Sequence, residues 1–162
     1  HGCDLRADGR AVTGDRGDSP KIVVWDTNTG VTISVIRYHS RGVASVAFSR
    51  SGKLVVSVGM DAERKVAVHN HRTGAILGSG KAGAMAEIRA IAVCGDEYFL
   101  TAGKHHMTFW TLPSANAPGG PLQSRNGIFK HEHVSRTVCS ACFMGADAVT
   151  GAADGHIVRV KE

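Results

Sequence analysis

One short pattern occurs four times in this chain, and its spacing limits the fold more than any other feature. It reads Lys21-Ile-Val-Val-Trp25-Asp26, then Lys65-Val-Ala-Val-His69-Asn70, then His106-Met-Thr-Phe-Trp110-Thr111, and last His156-Ile-Val-Arg-Val160-Lys161. Trp25, His69, Trp110 and Val160 take equivalent places, 44, 41 and 50 residues apart. A basic or imidazole residue, an apolar run and a closing polar residue at that period mark the blades of a propeller, one four-stranded sheet per repeat.

The flanking residues supply the other strands. Before each copy stands a short apolar run closed by a small residue and Gly: Ala11–Gly14, Val55–Gly59, Phe99–Gly103 and Ala148–Gly151. Turn residues come before those runs, at Asp8-Gly9, Ser51-Gly52, Gly95-Asp96 and Gly145-Ala146-Asp147. Gly and Asp tolerate the dihedrals of tight turns. Further apolar runs precede the turns at Val43–Phe48, Ile88–Val93 and Val138–Phe143. The Thr-Gly pairs ending at Gly30 and Gly74 would turn the chain into outer strands, 31–36 and 75–78. Lys81 to Ala90 holds helix formers, but Gly80 and Gly83 interrupt them, so the segment reads as a loop entering a strand near Ile88.

Apolar side chains alternate faces along a strand. Lys21 to Trp25 is apolar on both faces, which calls for cover on both sides, as in a blade wedged between blades. A β-sandwich also buries central strands but does not explain the recurrence. The expected fold is therefore all-β: a WD40-type propeller segment over residues 1–162 with about four consecutive four-stranded blades. The units fall near 1–36, 37–80, 81–129 and 130–162, the last without its outer strand. The start at His1-Gly2-Cys3 reads as an excised piece, and four units read as an arc of a larger ring, since propellers close with about 4–8 blades. Trp25, His69, Trp110 and Val160 are the expected structural blade positions. Removing either Trp side chain should cost about 3–5 kcal/mol.

Chemistry-bearing residues are present without the spacing that catalysis needs. Cys139-Ser-Ala-Cys142 has no second Cys-x-x-Cys, and residues three apart on a strand diverge, so Cys3, Cys94, Cys139 and Cys142 read as buried, reduced thiols of a cytosolic protein. The histidines at 69, 71, 105, 106, 131 and 133 fall near strand ends with no thiol or carboxylate spaced to complete a metal site. Arg16-Gly17-Asp18 spells an adhesion tripeptide and reads as an inter-strand loop turned by Gly17. Asp26, Asp61, Asp96 and Asp154 recur near turns. No nucleophile is paired with a base, and no Gly-rich phosphate loop precedes a helix. No catalytic, cofactor-binding or metal-binding residue is assigned, and the chain is not expected to be an enzyme. No apolar run approaches the roughly 20 residues of a membrane span.

The formal charge is +5, from 19 Lys and Arg against 14 Asp and Glu. The cations are dispersed, with no block of five, which argues against a nucleic-acid tail. Arg41, Arg64, Lys104, His105 and Arg136 fall in expected loops at one end of the blades, where a propeller would gather them into a basic protein-interaction rim.

Four stretches resemble one family, the echinoderm microtubule-associated protein-like (EML) proteins, a divergent WD40 group. They are Thr13-Gly14 with the loop leading to Lys21-Ile-Val-Val-Trp25-Asp26, Ser40-Arg41-Gly42-Val43 through Phe48-Ser49, Gly103-Lys104-His105-His106 through Trp110-Thr111, and Asn126-Gly127-Ile128-Phe129-Lys130. They occur in the family's order and span the chain. The resemblance implies part of the first propeller of a tandem two-propeller protein that binds tubulin and microtubules, in the cytoplasm and cytoskeleton and in cilia or flagella. The loop Leu112–Asn126, with Pro113, Pro118 and Pro121, reads as an insertion. The functional expectation is a non-catalytic scaffold that binds tubulin or other proteins and joins the remaining blades of a parent propeller, with no nucleic acid and no membrane. The alternative is a generic WD40 adaptor that binds a peptide in a signalling or ubiquitin-ligase complex.

Overall fold

The computed structural model describes residues 2–84, 86–127 and 137–160, and every regular element among them is a β-strand. The first sheet holds β1 (Cys3–Leu5), β2 (Arg10–Gly14), β3 (Ile22–Asp26) and β4 (Thr32–Ile36). The second holds β5 (Val43–Phe48), β6 (Leu54–Gly59), β7 (Lys65–Asn70) and β8 (Ile76–Lys81). The third holds β9 (Glu87–Cys94), β10 (Tyr98–Lys104), β11 (His106–Thr111) and β12 (Ser124–Asn126). The fourth holds β13 (Val138–Met144), β14 (Asp147–Ala152) and β15 (Ile157–Val160). Each sheet is an antiparallel meander in chain order, and the all-β propeller expected from the repeat is the fold observed.

Alternation along the strands builds the core between sheets. One face of the first sheet gives Val12, Ile22, Val24 and Ile36, which meet Val43, Val46, Phe48 and Val55 of the second. The opposite face of the second gives Leu54, Val56, Val58, Val66 and Val68, which meet Phe99, Trp110 and Leu112. Leu100, Ala102, Met107 and Phe109 then meet Val138 and Ala148. Burying a side chain of this kind contributes about 1.5–3 kcal/mol, so these three seams hold the blades together.

Two expectations about burial need correction. The interior of β7 is buried on both faces, as is β11 up to Thr111, whereas β3 is fully covered only on the face that carries Ile22 and Val24. Val23 and Trp25 point away from the second sheet, and no other sheet covers them among the described residues, so Trp25 is only partly buried. The thiols are free but not buried: Cys3, Cys139 and Cys142 are exposed and Cys94 is intermediate. All four lie on β1, β9 or β13, the first strand of a sheet, and a register shift between Val138 and Ser140 displaces Cys139 from simple alternation.

Pairing also fixes the internal alignment. Ala11, Val55, Phe99 and Ala148 stand opposite Trp25, His69, Trp110 and Val160. Two residues further on, Thr13, Ser57, Thr101 and Thr150 occupy one level. Aligning the units on Gly14, Gly59, Gly103 and Gly151 is therefore one residue out for the first and last.

The proline-bearing segment has a definite structural role. It leaves β11 at Leu112 and returns as β12, whose Ser124 pairs with Trp110. On the way, Ser79 N–H donates to Gly120 O, Leu122 N–H donates to Ser79 O, and Ser79 and Pro121 form a parallel bridge. The insertion thus covers part of the outer edge of the second sheet. An exposed edge of this kind invites non-native pairing, and proline is a common device for blocking it.

Candidate interaction surface

The meander sends alternate connections to opposite ends of the molecule. At one end the β2–β3 loop touches the start of β5: Gly17 N–H donates to Arg41 O, Val43 N–H donates to Asp15 O, and Arg16 bridges Gly42. Gly17 has φ +131°, in the region that favours glycine, so the Arg16–Asp18 tripeptide turns here. At the same end the β6–β7 loop meets the β8–β9 loop through Arg64 Nε–H to Ala86 O at 3.1 Å and Ala82 N–H to Arg64 O at 3.2 Å. Lys104 bridges Thr137 there as well. This end therefore holds Arg41, Arg64, Lys104 and His105; Arg136 lies outside the described residues, as do His131 and His133.

These residues are not equivalent. Arg41, Lys104 and His105 are exposed, whereas Arg64 is partly buried and spends its Nε–H on a loop carbonyl; Arg64 and His105 share a left-handed backbone, with φ +50° and +51°. The end is also partly neutralised. Lys81 pairs with Glu63 at 2.7 Å and Arg89 with Glu87 at 2.6 Å. Those contacts raise Lys81 and Arg89 and lower Glu87 from their ordinary pKa values, chiefly through the ionic hydrogen bonds.

Behind this end lies a buried polar chain that only the assembled fold reveals. Asp61 Oδ2 stands 3.5 Å from His39 Nδ1, His39 Nε2 stands 2.9 Å from Ser57 Oγ, and Ser57 Oγ stands 3.1 Å from His69 Nε2. The third sheet holds the matching set, with Trp110 Nε1–H donating to Thr101 Oγ1 at 2.8 Å and His106 Nε2 another 2.8 Å from that oxygen. An indole can only donate, so Thr101 Oγ1 accepts from Trp110, and its one proton is shared between His106 Nε2 and the Thr108 carbonyl 3.5 Å away. His69 takes the place of the indole, with Nε2 beside the Ser57 hydroxyl. His69 Nδ1 is buried with no hydrogen-bond partner among the described residues. Tyr38 fills the space that the smaller ring leaves, edge-on to His39 at 5.1 Å and to His69 at 5.7 Å.

Burial lowers all three imidazoles. His69 falls to about 4, through desolvation first and the charge of His39 second. His106 falls to about 4 through desolvation. His39 is also lowered, because desolvation outweighs the opposing pull of Asp61. All three rings are therefore neutral at pH 7. No group of three or more His, Cys, Asp or Glu residues among those described is arranged to hold a metal ion. His69 and Trp110 stand at buried levels of their blades, and Val160 is packed against the seam between the third and fourth sheets.

The opposite end gathers turns that the charge pattern in the sequence did not single out. Arg6 Nη1 donates to Ser49 O at 3.0 Å and Arg50 O at 2.8 Å, Arg10 Nη1 donates to Gly52 O at 3.2 Å, and Asp8 joins the two guanidiniums. Asp96 accepts from the N–H and hydroxyl of Ser51, and Tyr98 donates to Ala146 O at 3.1 Å. Each blade thus latches the turn of a neighbour. Arg6, Arg10, Arg50, Lys53 and Arg72 collect here. The signal for them was a cation within three residues of a turn glycine at Gly9, Gly52 and Gly74.

Comparisons with known proteins agree with this architecture. No family model matches the chain. It is 35% identical over 114 residues to centriole proteome protein 16 of Chlamydomonas reinhardtii, covering 67% of this chain and 5% of that protein. It is 28% identical over 128 residues to cilia- and flagella-associated protein 52 of Sus scrofa, covering 76% of this chain and 21% of that protein. The chain therefore spans a minor part of these curated relatives. Among solved structures, the Cps50 (Swd1) β-propeller domain of Myceliophteria thermophila superposes with TM-score 0.75 at 14% identity, over 99% of this chain and 53% of that one. The computationally designed Ika4 protein superposes with TM-score 0.71 at 22% identity, over 98% of this chain and 89% of that one. These relatives carry centriole and cilia- or flagella-associated names, and the solved neighbours share the propeller fold.

Proposed function

We propose that this segment is a scaffold blade set of a microtubule-associated ciliary or axonemal protein, and that its Arg41 end docks onto the acidic surface of tubulin. The observation that carries the reading is the gathering of Arg41, Lys104 and His105, all exposed, on loops held by a rigid β-frame. Loops on such a frame bind with little rearrangement. The centriole and flagellar names of the relatives and the EML-like stretches support the choice of partner, and the burial of Ser57, His39 and Asp61, the described serine, imidazole and carboxylate that do stand in line, supports a non-enzymatic role. In the parent protein, further blades would cover the open face that carries Trp25.

The test is co-sedimentation with taxol-stabilised microtubules across a salt series. Binding at low salt that weakens as salt rises is expected, because exposed charges are screened over about 10 Å at 0.1 M. Arg41→Glu with Lys104→Glu should abolish pelleting and leave the melting temperature unchanged. No pelleting of the wild-type chain at low salt refutes the tubulin reading. A double variant that pellets normally refutes the assignment to this end.

A further inference from the structure

The end opposite Arg41 carries a second concentration of positive charge, on turns that run outward from one side of a concave mouth. The β5–β6 turn presents Arg50 and Lys53, and the β7–β8 turn presents Arg72, all exposed. Among the described residues, none of these three side chains has a hydrogen bond or ion pair, whereas the nearby carboxylates are engaged. Asp4 accepts from Phe48 N–H at 2.8 Å, Asp8 is held by Arg6 and Arg10, and Asp96 is held by Ser51. Glu97 remains unengaged but does not line the mouth; Asp4 does line it, with its carboxylate held by Phe48 N–H. His71 senses the excess: burial lowers its pKa first, and the charges of Arg10, Arg72 and Arg6 lower it further.

Beside these cations lies a concavity of about 520 Å³, between the ends of β1, β5, β9 and β13. Leu5, Val93 and Phe143 give it an apolar wall, and Arg50 lies on its border. Leu5 is 68% exposed, an uncommon cost for a leucine at the lip of a pocket. Among the described residues, neither ring that lines the mouth is free for base stacking: Phe48 is buried with Arg6 5.8 Å above its ring, and Phe143 stands edge-on to Tyr98 at 5.4 Å. Single-stranded nucleic acid relies on such stacking platforms. An apolar wall next to unpaired cations matches an extended protein segment with carboxylates on either side of one apolar side chain.

We propose that this mouth is a second docking surface, for a short acidic peptide segment with an apolar anchor. Leu5, Val93 and Phe143 receive the anchor, and Arg50, Lys53 and Arg72 receive the carboxylates. The proposal does not depend on tubulin as partner of the Arg41 end. It makes the segment bivalent, with two acidic partners held on opposite ends of strands about 17–20 Å long.

The experiment uses a fluorescein-labelled twelve-residue peptide of Glu pairs separated by single Leu residues, followed by anisotropy against the 162-residue chain. Three control probes accompany it: the Lys-for-Glu peptide, the Ser-for-Leu peptide and a twenty-nucleotide oligo-dT. The Glu/Leu peptide should bind, and Arg50→Glu with Arg72→Glu should weaken it at least tenfold without moving the melting temperature. Arg41→Glu with Lys104→Glu should leave it unchanged. The Ser-for-Leu peptide should bind at least threefold more weakly. The proposal is overturned if Arg50→Glu with Arg72→Glu has no effect, if the Arg41/Lys104 pair matters equally, or if the Lys peptide or the oligo-dT binds as well as the Glu/Leu peptide. Equal binding of the Ser-for-Leu peptide overturns the apolar anchor.

Discussion

His69→Gln separates a buried neutral imidazole from a merely packed one. In the folded chain His69 holds its proton only below about pH 4, against an ordinary value of 6.5. Between those values the unfolded chain binds more protons than the folded one, so stability rises with pH through the window and is lost as pH falls. From pH 7.5 to pH 5 this linkage removes about 2 kcal/mol through His69 alone. His106, lowered to about 4 by the same desolvation, removes about 2 kcal/mol more. A loss near 4 kcal/mol is large against the 5–15 kcal/mol or so that holds a domain folded. Asp8 and Glu87, held low by their arginine partners, lose their contribution at lower pH, which leaves this window to the imidazoles. The amide of Gln keeps an N–H for Ser57 and cannot titrate. Urea unfolding at the two pH values should show the wild type losing about 2 kcal/mol more stability than His69→Gln. If the variant loses as much as the wild type, to within about 0.5 kcal/mol, His69 is not held neutral in the folded chain.

The remaining predictions are simpler. Trp110→Ala should cost about 3–5 kcal/mol, because it empties a buried seam, removes the ring stacked on Phe99 at 6.1 Å and takes the donor from Thr101. Trp25→Ala should cost only about 1–2 kcal/mol, since one face of its sheet is open; equal losses in urea titrations would contradict the one-sided packing. Native-state reaction with a chromogenic disulfide should label Cys3, Cys139 and Cys142 rapidly and Cys94 more slowly, whereas thiols that stay silent until denaturant is added would contradict the exposure seen here.

The charged ends of the blades were only partly legible in the chain. Arg41 and Lys104 could be placed on one end because antiparallel strands send equivalent loops the same way. Arg64 could not be distinguished from them, since its use as a clamp on Ala86 O depends on a loop 22 residues away. Arg50, Lys53 and Arg72 are ordinary turn cations in sequence. They become a surface because the latches of Arg6 and Asp96 bring their turns together and use up the nearby carboxylates.

What the sequence determined by itself was the local and periodic part. Strand alternation, turn glycines and a repeat of about forty residues are enough to specify antiparallel meander blades, because each depends on neighbours a few residues away. Which faces are covered was decided only by the stacking of sheets: His69 lies wholly inside, Trp25 at the equivalent level does not, and the cysteines look outward. Burial, and with it the neutral imidazoles and the unpaired cations, depends on residues forty or more positions away in the chain. Tertiary structure alone brings those residues together, and it gives the two ends of the blades different charge and packing.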